Sequence, residues 1–425
     1  MLKGIANAFR VPELRNKLLL TVGILLLYRF GAYLPVPGVP FQDMLSAYQS
    51  GLSSNGAMAV LNLFSGGALS RMSVFSLGIM PYITAQIILQ LMQAVIPSLG
   101  ELAKEGESGQ RKITQYTRYL TIGLALISSV GYLFLFKSYG VSFSNMGIAE
   151  GLENFIVVFT MLVGAIVIMW LGEVITQRGI GNGMSLIIFA NIMSGLPTSL
   201  ISSVANNGNV ILTVVTMVVI VAIIPIIVYV ERGQRRIPIQ YAKRVVGRRV
   251  MGGQATYLPI KVNTAGVVPI IFASALLYFP AQIAVFFPGI GWIQAVASAL
   301  SRGWLNWVLN VVLIVFFAYF YTSMVFNPED TADNLRKQGG FIPGVRPGSA
   351  TVTYIKNVIH RVTLPGGIFI ACIAVIPTII FYFSGNQLIQ AFGGTSILIM
   401  IGVALDTMSK VESQLKMHNY DGFFK

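Results

Sequence analysis

Few residues in this 425-residue sequence have side chains suited to catalysis. The histidines are His360 and His418, and the single cysteine, Cys372, lies in an apolar run that predicts a buried thiol. A nucleophile needs a neighbouring base, and a zinc site needs several ligands at short spacings. The sequence contains no His-Glu-x-x-His, Cys-x-x-Cys or Gly-x-Ser-x-Gly motif and no nucleotide-binding loop. We therefore expect no enzymatic activity, metal or other cofactor, and any energy source must be a partner.

Glutamines provide the most regular polar spacing. Gln86, Gln90 and Gln93 lie at positions i, i+4 and i+7, with Thr84 nearby, so in a helix the three amides share one face. Such a seam could border a water-filled path that opens between helices. It could equally form ordinary hydrogen bonds between packed helices. The spacing alone favours neither alternative.

The composition indicates that these residues are carried by membrane-spanning helices. Hydrophobic residues make up 55% of the chain, charged residues 10%, and the mean hydropathy is +0.74. A soluble protein of this size needs more charge to cover its surface. A spanning helix needs about 20 mostly apolar residues. Ten segments qualify: 18–35, 74–96, 118–137, 153–173, 183–204, 210–230, 265–287, 304–325, 362–383 and 393–410.

The distribution of positive charge predicts the orientation. Basic residues concentrate in the loops that face the cytoplasm. With both termini in the cytoplasm, all but four of the 29 Lys and Arg residues lie on that side; the four are Arg29, Arg71, Lys137 and Arg302. The reverse orientation would place most of the positive charge outside, so we reject it.

The ten predicted spans divide into two halves of five, residues 1–205 and 206–425. The second span of each half contains Gly-x-x-Pro, and the last span opens with Gly-x-Ser and an aliphatic run. Because each half has an odd number of spans, equivalent helices cross the membrane in opposite directions. This inverted repeat is frequent in proteins that open a path between two bundles, and interrupted spans at matched positions indicate that path. The matched motifs are 78–81 with 266–269 and 183–185 with 394–396.

Alignment of the two halves places Ile83 opposite Ile271 and Ile188 opposite Ile399. Ile79 lies one helical turn from Ile83, and Met184 one turn from Ile188. Together they could form an apolar collar, which excludes water and ions by dewetting. For any single isoleucine, a place in the core or against lipid is the commoner explanation, and only the repeat favours the collar. Its members are Ile79, Ile83, Met184, Ile188, Ile271 and Ile399.

Residues 60–73, here called the plug segment, are too short and too polar to span a membrane. They predict a half-helix broken at Gly66-Gly67, just outside the Gly-x-x-Pro helix. The segment could fold inward and close the collar, or lie as an outer interfacial helix, and the residues alone do not decide. Its candidate residues are Asn62, Phe64, Ser65, Gly66, Gly67 and Arg71.

Two loops on the cytoplasmic side, 231–264 and 326–361, are long. In the first, Ile-Pro-Ile-Gln-Tyr between two basic clusters predicts a β-hairpin with Gly247 near a turn. The loops could serve only as orientation signals, which explains their charge but not their length. A folded basic projection also suits docking to RNA phosphates or an acidic protein face. The candidates are Arg235, Arg236, Lys243, Arg244, Arg248, Arg249 and Arg346.

An ion-coupled transporter fits the sequence less well than a passive channel. Transporters usually carry several ionisable residues at mid-membrane. Here only Arg29 and Asp406 qualify, and both lie near enough to span ends for the side chain to extend to the interface. A wide, apolar, passively gated channel agrees best with the residues.

Several longer stretches resemble the SecY family, the central subunits of the bacterial protein translocation channel. They include LNLFSGGALSRMSVFSLGIMPYITAQIILQLM (61–92), RGIGNGMSLIIFA (178–190), NPEDTADNLRKQGGFIPGVRPG (327–348) and FGGTSILI (392–399), and the resemblance covers essentially the whole chain.

The resemblance implies an all-α membrane fold of ten helices around an hourglass pore. The collar would be its ring, with Met184 the least typical member, and the plug segment would close it. Spans two and three against seven and eight would form a lateral gate for apolar segments, with Thr84, Gln86, Gln90, Gln93 and Phe279 as its residues.

The same resemblance implies partners and a location. The basic loops would bind the ribosome or the SecA motor, with Arg346 of Gly-Val-Arg-Pro-Gly important for coupling. SecE and SecG would be small membrane partners. Substrates would be signal sequences and nascent or unfolded polypeptides, moved across the bacterial cytoplasmic membrane or released into its lipid.

Overall fold

A computed structural model describes most of the chain. The structure describes residues 9, 11–40, 44, 62, 64–138, 140–141, 149–207, 210–241, 244–246, 249–251, 256–286, 290–301, 303–384 and 393–421. Within them the fold is mostly helical, with five short strands.

In the part of the chain that the structure describes, seven helices precede the first strand. They are α1 (Pro12–Gly31), α2 (Met80–Val95), α3 (Pro97–Lys104), α4 (Glu107–Ser138), α5 (Glu150–Arg178), α6 (Gly183–Asn207) and α7 (Val210–Glu231). The strands are β1 (Gln234–Tyr241), β2 (Arg244–Val246), β3 (Arg249–Met251), β4 (Thr256–Lys261) and, later, β5 (Gly340–Phe341). The remaining helices are α8 (Val268–Phe286), α9 (Gly291–Ser301), α10 (Trp304–Val325), α11 (Pro328–Lys337), α12 (Ser349–Ser384) and α13 (Gly394–Asp421).

Long apolar helices make this a multi-pass membrane protein. By length and composition, five stretches of the described chain can cross a membrane, or six if the bent pair α2 and α3 counts as one span. Ten spans therefore remain a prediction. The five are Glu107–Ser138, Glu150–Arg178, Trp304–Lys337, Ser349–Ile380 and Gly394–Met417.

Several helices are longer than the apolar windows that predicted them. Helix α1 begins at Pro12, six residues before the predicted start of the first span, and ends at Gly31. Proline is tolerated in a first helical turn because its missing N–H has no partner there. Hydropathy detects only the apolar part of a helix, so polar end turns are missed. The side chain of Cys372 is exposed on α12, so the predicted buried thiol is wrong.

The described chain clusters into two compact units. The first unit comprises Met1–Gly208, Ser274–Asn306 and Val403–Lys425. Within it, α2 packs on α4, α4 on α5, and α5 on both α1 and α6. Glycines allow the closest approaches: a Cβ on Gly164 of α5 would overlap the Val74 carbonyl oxygen, and one on Gly172 would overlap the Met184 sulfur. Small residues thus bring the helices of this unit together.

The second unit comprises Asn209–Ala273 and Trp307–Gly402 and contains a small folded body outside its apolar helices. Strand β1 pairs antiparallel with β4 and with β5. We call this body, formed by the three strands, α11 and the start of α12, the basic platform. Its buried core consists of Ile237, Ile239, Ile260, Ala332, Leu335, Ile342 and Ile355.

The predicted hairpin is confirmed in the strand pairing. Strands β2 and β3 are antiparallel, and the pair Val246–Arg249 flanks the expected turn at Gly247, itself outside the described residues. The Ile-Pro-Ile-Gln-Tyr stretch lies in β1, whose longer partner is β4. Since residues of both long loops share the platform core, the two loops fold as one body.

Candidate functional site

The two Gly-x-x-Pro motifs have the same local structure. Gly78 has φ of +57° and Gly266 has φ of +62°, and in each case the helix begins two residues later. A positive φ is easily adopted only by glycine. The prolines, Pro81 and Pro269, are the second residues of α2 and α8, where no backbone N–H is needed. The motif therefore starts a helix abruptly.

The two Gly-x-Ser motifs also match, for a different reason. Gly183 and Gly394 are the first residues of α6 and α13. A Cβ on Gly183 would overlap the carbonyl oxygen of Gly172, and a Cβ on Gly394 would overlap that of Ile373. Each glycine thus lets a helix start directly against the backbone of an earlier helix. The matched sequences correspond to matched backbone arrangements.

All six collar residues are buried. Their exposed fractions are 1% for Ile79, 3% for Ile83, 7% for Met184, 1% for Ile188, 6% for Ile271 and 0% for Ile399. A lipid-facing position is therefore wrong for each of them. Burial agrees with a closed collar and also with an ordinary apolar core.

The plug segment is not a half-helix over its whole length. Asn62 and Phe64 are helical, but residues 65–72 form successive turns. The break predicted at Gly66-Gly67 is confirmed, since both glycines have positive φ, at +66° and +83°. A helix beyond the break is wrong, because the turns continue through residue 72. The outer interfacial helix is wrong as well. The side chains of Phe64, Ser65 and Ala68 are at most 4% exposed, so this part of the segment is folded into the first unit.

Backbone hydrogen bonds join the plug segment to the chain after α1. The Val36 N–H donates to the Met72 carbonyl at 3.0 Å, and the Val74 N–H donates to the Leu34 carbonyl at 2.9 Å. Between them, Pro35 and Ser73 form an isolated antiparallel bridge. The end of the plug segment therefore pairs with the chain after α1 as two antiparallel strands do.

Side chains of two helices hold the start of the plug segment. Arg29 Nη1 of α1 donates to the Gly66 carbonyl at 2.8 Å, and Asn191 Nδ2 of α6 donates to the Phe64 carbonyl at 2.5 Å. From the sequence, Arg29 was expected at a span end and Asn191 was not singled out. An asparagine inside the run Ile-Ile-Phe-Ala-Asn-Ile-Met was the available signal, since a buried amide needs partners.

The glutamine seam lies on one helix, as predicted. Helix α2 contains Gln86, Gln90 and Gln93, all half-buried, and Gln90 Oε1 is buried without a hydrogen-bond partner. The Thr84 hydroxyl donates to the Met80 carbonyl of the same helix at 3.0 Å. Phe279 on α8 is 37% exposed. A lateral gate at these residues stays a prediction.

The basic platform carries exposed arginines. Arg235 and Arg236 of β1 are exposed, and the Arg236 guanidinium lies 4.8 Å from the centre of the Tyr257 ring. Arg346 is also exposed, and the Thr351 hydroxyl donates to its carbonyl at 2.9 Å. Among the remaining candidates, Arg244 and Arg249 have described backbones in β2 and β3, whereas Lys243 and Arg248 lie outside the described residues. A docking role for this surface stays a prediction.

Within the described part of the chain, no group of three or more His, Cys, Asp and Glu side chains is placed to hold a metal ion. The site is instead built from apolar side chains, backbone turns and a few hydrogen bonds.

Comparison with known proteins agrees with this architecture. The SecY family model matches residues 73–408. The protein translocase subunit SecY of Streptomyces coelicolor is 44% identical over 455 residues, and that of Mycobacterium tuberculosis is 46% identical over 449 residues, each match covering all of both chains.

Solved structures of lower identity share the fold. A structure described as a protein conducting channel aligns with 93% of this chain and 91% of its own, with a TM-score of 0.62 and 19% identity. Sec61 in a canine ribosome-channel complex covers 93% and 91%, with a TM-score of 0.58 and 18% identity.

Fold and site together define a multi-pass helical membrane protein with the architecture of a protein-conducting channel. The chain belongs to the SecY family.

Proposed function

We propose that this chain is the channel subunit of a protein translocase in a bacterial cytoplasmic membrane, with both termini in the cytoplasm. It would move unfolded secretory polypeptides across that membrane. The observation that carries the proposal is the burial of all six collar side chains. Five of them lie on helices that begin at matched Gly-x-x-Pro and Gly-x-Ser motifs, and Ile79 lies directly before α2. The relatives are named as protein translocase subunits, which supports the same function.

A collar of aliphatic side chains suits this cargo. A narrow apolar constriction excludes water and ions by dewetting, so the membrane stays sealed without charged residues. The collar also has no hydrogen-bonding groups that would hold a passing backbone. The plug segment would add a second barrier. In a related solved structure, the plug domain of SecY is described as stabilising the closed state of the translocation channel and maintaining a membrane seal.

Apolar segments of the cargo would leave sideways into lipid. We assign this lateral gate to the seam of Thr84, Gln86, Gln90 and Gln93 on α2, together with Phe279 on α8. Separating two helices at half-buried amides costs less free energy than separating them at a buried apolar core. Water or cargo can replace each hydrogen bond that an amide loses. The buried, unpartnered Gln90 Oε1 supports a seam that is not fully satisfied in this state.

The basic platform would dock the driving machinery. Arg235, Arg236 and Arg346 are exposed and offer positive charge to RNA phosphates or to an acidic protein face. The Sec61 relative is described in a complex with a ribosome, which supports ribosome binding here. We assign the SecA motor to the same face. SecE and SecG would be the membrane partners.

Site-specific cross-linking tests the collar. A photo-reactive residue replaces Ile83, Ile271 or, as a control, Ile127, an isoleucine of α4 that is 55% exposed. A translocating chain stalled in the channel should cross-link at Ile83 and Ile271 and not at Ile127. Labelling at Ile127 alone would place the path elsewhere and overturn the assignment.

A further inference from the structure

Two side chains hold two nearby carbonyls of the plug segment. Arg29 of α1 donates to the Gly66 carbonyl, and Asn191 of α6 donates to the Phe64 carbonyl. The first is a charge-assisted bond and belongs to the stronger class of hydrogen bonds. Asn191 is fully buried, so its bond is shielded from water. The two carbonyls lie where the helical turn ends and the glycine turn begins.

A tyrosine connects the same site to the far end of the plug segment. The Tyr33 ring lies 4.9 Å from the Arg29 guanidinium and 4.2 Å from that of Arg71. Arg29 Nη2 also donates to the Tyr33 hydroxyl at 3.2 Å. Cations over an aromatic face are attracted by its negative potential. Arg29 therefore contacts the plug segment directly and, through Tyr33, lies close to Arg71 of that segment.

Gly66 is fitted to these two side chains. A Cβ built on Gly66 would lie 2.7 Å from Asn191 Oδ1 and 2.8 Å from Arg29 Nη1. Its φ of +66° is also a conformation that other residues rarely adopt. The neighbouring Gly67 has φ of +83°, but a Cβ added there would meet nothing within 4 Å. The close fit to Arg29 and Asn191 is thus specific to Gly66.

In this structure, some buried polar atoms of the plug segment and its surroundings lack hydrogen-bond partners. These atoms include Arg71 Nη1 and Ser73 Oγ. Each such atom raises the free energy of this state relative to one in which water reaches it. The plug segment is held in this position by few hydrogen bonds, and the unpartnered atoms oppose them. Loss of one of these bonds should therefore shift the segment's position noticeably.

We propose that Arg29 and Asn191 are positioning residues that form a latch, which keeps the plug segment seated in the resting channel. The inference rests on the proposed function, because it names what holds that channel closed. Cargo would open the channel by displacing both bonds. Loss of either donor shifts the equilibrium toward the unseated segment without cargo.

Passive leak measures this equilibrium. The full chain, reconstituted in liposomes with its membrane partner subunits, is tested for release of a trapped small dye without substrate. Arg29→Leu should raise the leak about 10-fold and Asn191→Leu about 3-fold, as expected for a charged and a neutral hydrogen bond. The matched controls are Lys137→Leu, whose ammonium pairs with Glu150 at 2.7 Å, and Thr160→Val on α5, whose hydroxyl donates to the Ile156 carbonyl of its own helix. Both should leak like the parent.

A pair of glycine variants tests the latch from the side of the plug segment. Gly66→Ala and Gly67→Ala carry a similar backbone penalty, but only the first crowds Arg29 and Asn191. Gly66→Ala should therefore leak several-fold more than Gly67→Ala. Equal leak from the two would contradict a latch at Gly66.

Thiol labelling separates an unseated segment from a misfolded protein. Ser73→Cys, in a Cys372→Ser background, places a thiol at a site that is 0% exposed and whose hydroxyl makes no hydrogen bond. A membrane-impermeant maleimide should label it faster when Arg29→Leu or Asn191→Leu is added. Unchanged labelling and leak in both variants would overturn the latch. Absence of polypeptide transport by the parent would instead refute the proposed function, and the leak and labelling results would still decide the latch.

Discussion

The ion pair between Arg118 of α4 and Glu173 of α5 allows a quantitative test of the packing behind the collar. Arg118 Nε and Nη2 donate to the two carboxylate oxygens of Glu173 at 2.9 and 2.6 Å. The Glu173 side chain is 12% exposed and that of Arg118 is 40% exposed. Removing the arginine leaves a carboxylate that is mostly out of water without this partner. Because α5 packs on α6, which carries the proposed collar residues Met184 and Ile188, we expect loss of this pair to loosen the packing behind these two side chains.

Arg118→Met should cost about 3 kcal/mol of unfolding free energy, the lower end for breaking a buried pair, because Arg118 is partly exposed. The control is Arg111→Met: Arg111 pairs with Glu107 at 2.7 Å, but both side chains are at least 79% exposed. That pair should be worth about 0.3–0.5 kcal/mol. Arg118→Met with Glu173→Gln should recover most of the loss, since no unpaired charge remains.

The assay is reversible unfolding in mixed micelles, followed by far-ultraviolet circular dichroism, for the single variants and the double variant. The difference between the double-variant change and the sum of the single changes gives the coupling of the two side chains. An Arg118→Met loss no larger than that of Arg111→Met would refute the reasoning. A double variant as unstable as the single one would show that the cost is packing, not an unpaired charge.

Two other perturbations have defined outcomes. Gly183→Ala should lower the free energy of unfolding by about 1–3 kcal/mol in the same assay, because its Cβ would meet the Gly172 backbone. The control, Gly151→Ala, has open space at its Cβ and should be neutral or slightly stabilising. Arg346→Glu should weaken motor-driven export while the protein still inserts in the membrane at normal levels, measured by precursor accumulation and membrane fractionation; unchanged export would remove the docking role of that loop.

The sequence predicted the apolar helices and the motif positions because both depend on local composition. Gly-x-x-Pro requires a positive φ followed by a first-turn proline, and Gly78 and Gly266 have that structure. The β2–β3 hairpin followed from residues next to each other in the chain. Such features need no knowledge of distant partners.

Contacts between distant residues were not predictable from composition. Arg118 and Glu173 are 55 positions apart, and Asn191 contacts Phe64 across 127 positions. The bonds from Arg29 and Asn191 to carbonyls of the plug segment could not be predicted for the same reason. Cys372 was placed in a core because hydropathy does not distinguish a core face from a lipid face; both are apolar. Helix lengths were underestimated wherever polar turns continue an apolar helix, as at Pro12.

Transport of a polypeptide by the purified protein tests the central claim most directly. The chain is reconstituted in liposomes with the proposed partner subunits, the proposed motor and ATP, and an unfolded secretory precursor is added outside. We expect full-length precursor to become resistant to added protease, and detergent to remove the resistance. Flux of small solutes with no protected precursor would contradict a protein-conducting channel and favour a solute transporter.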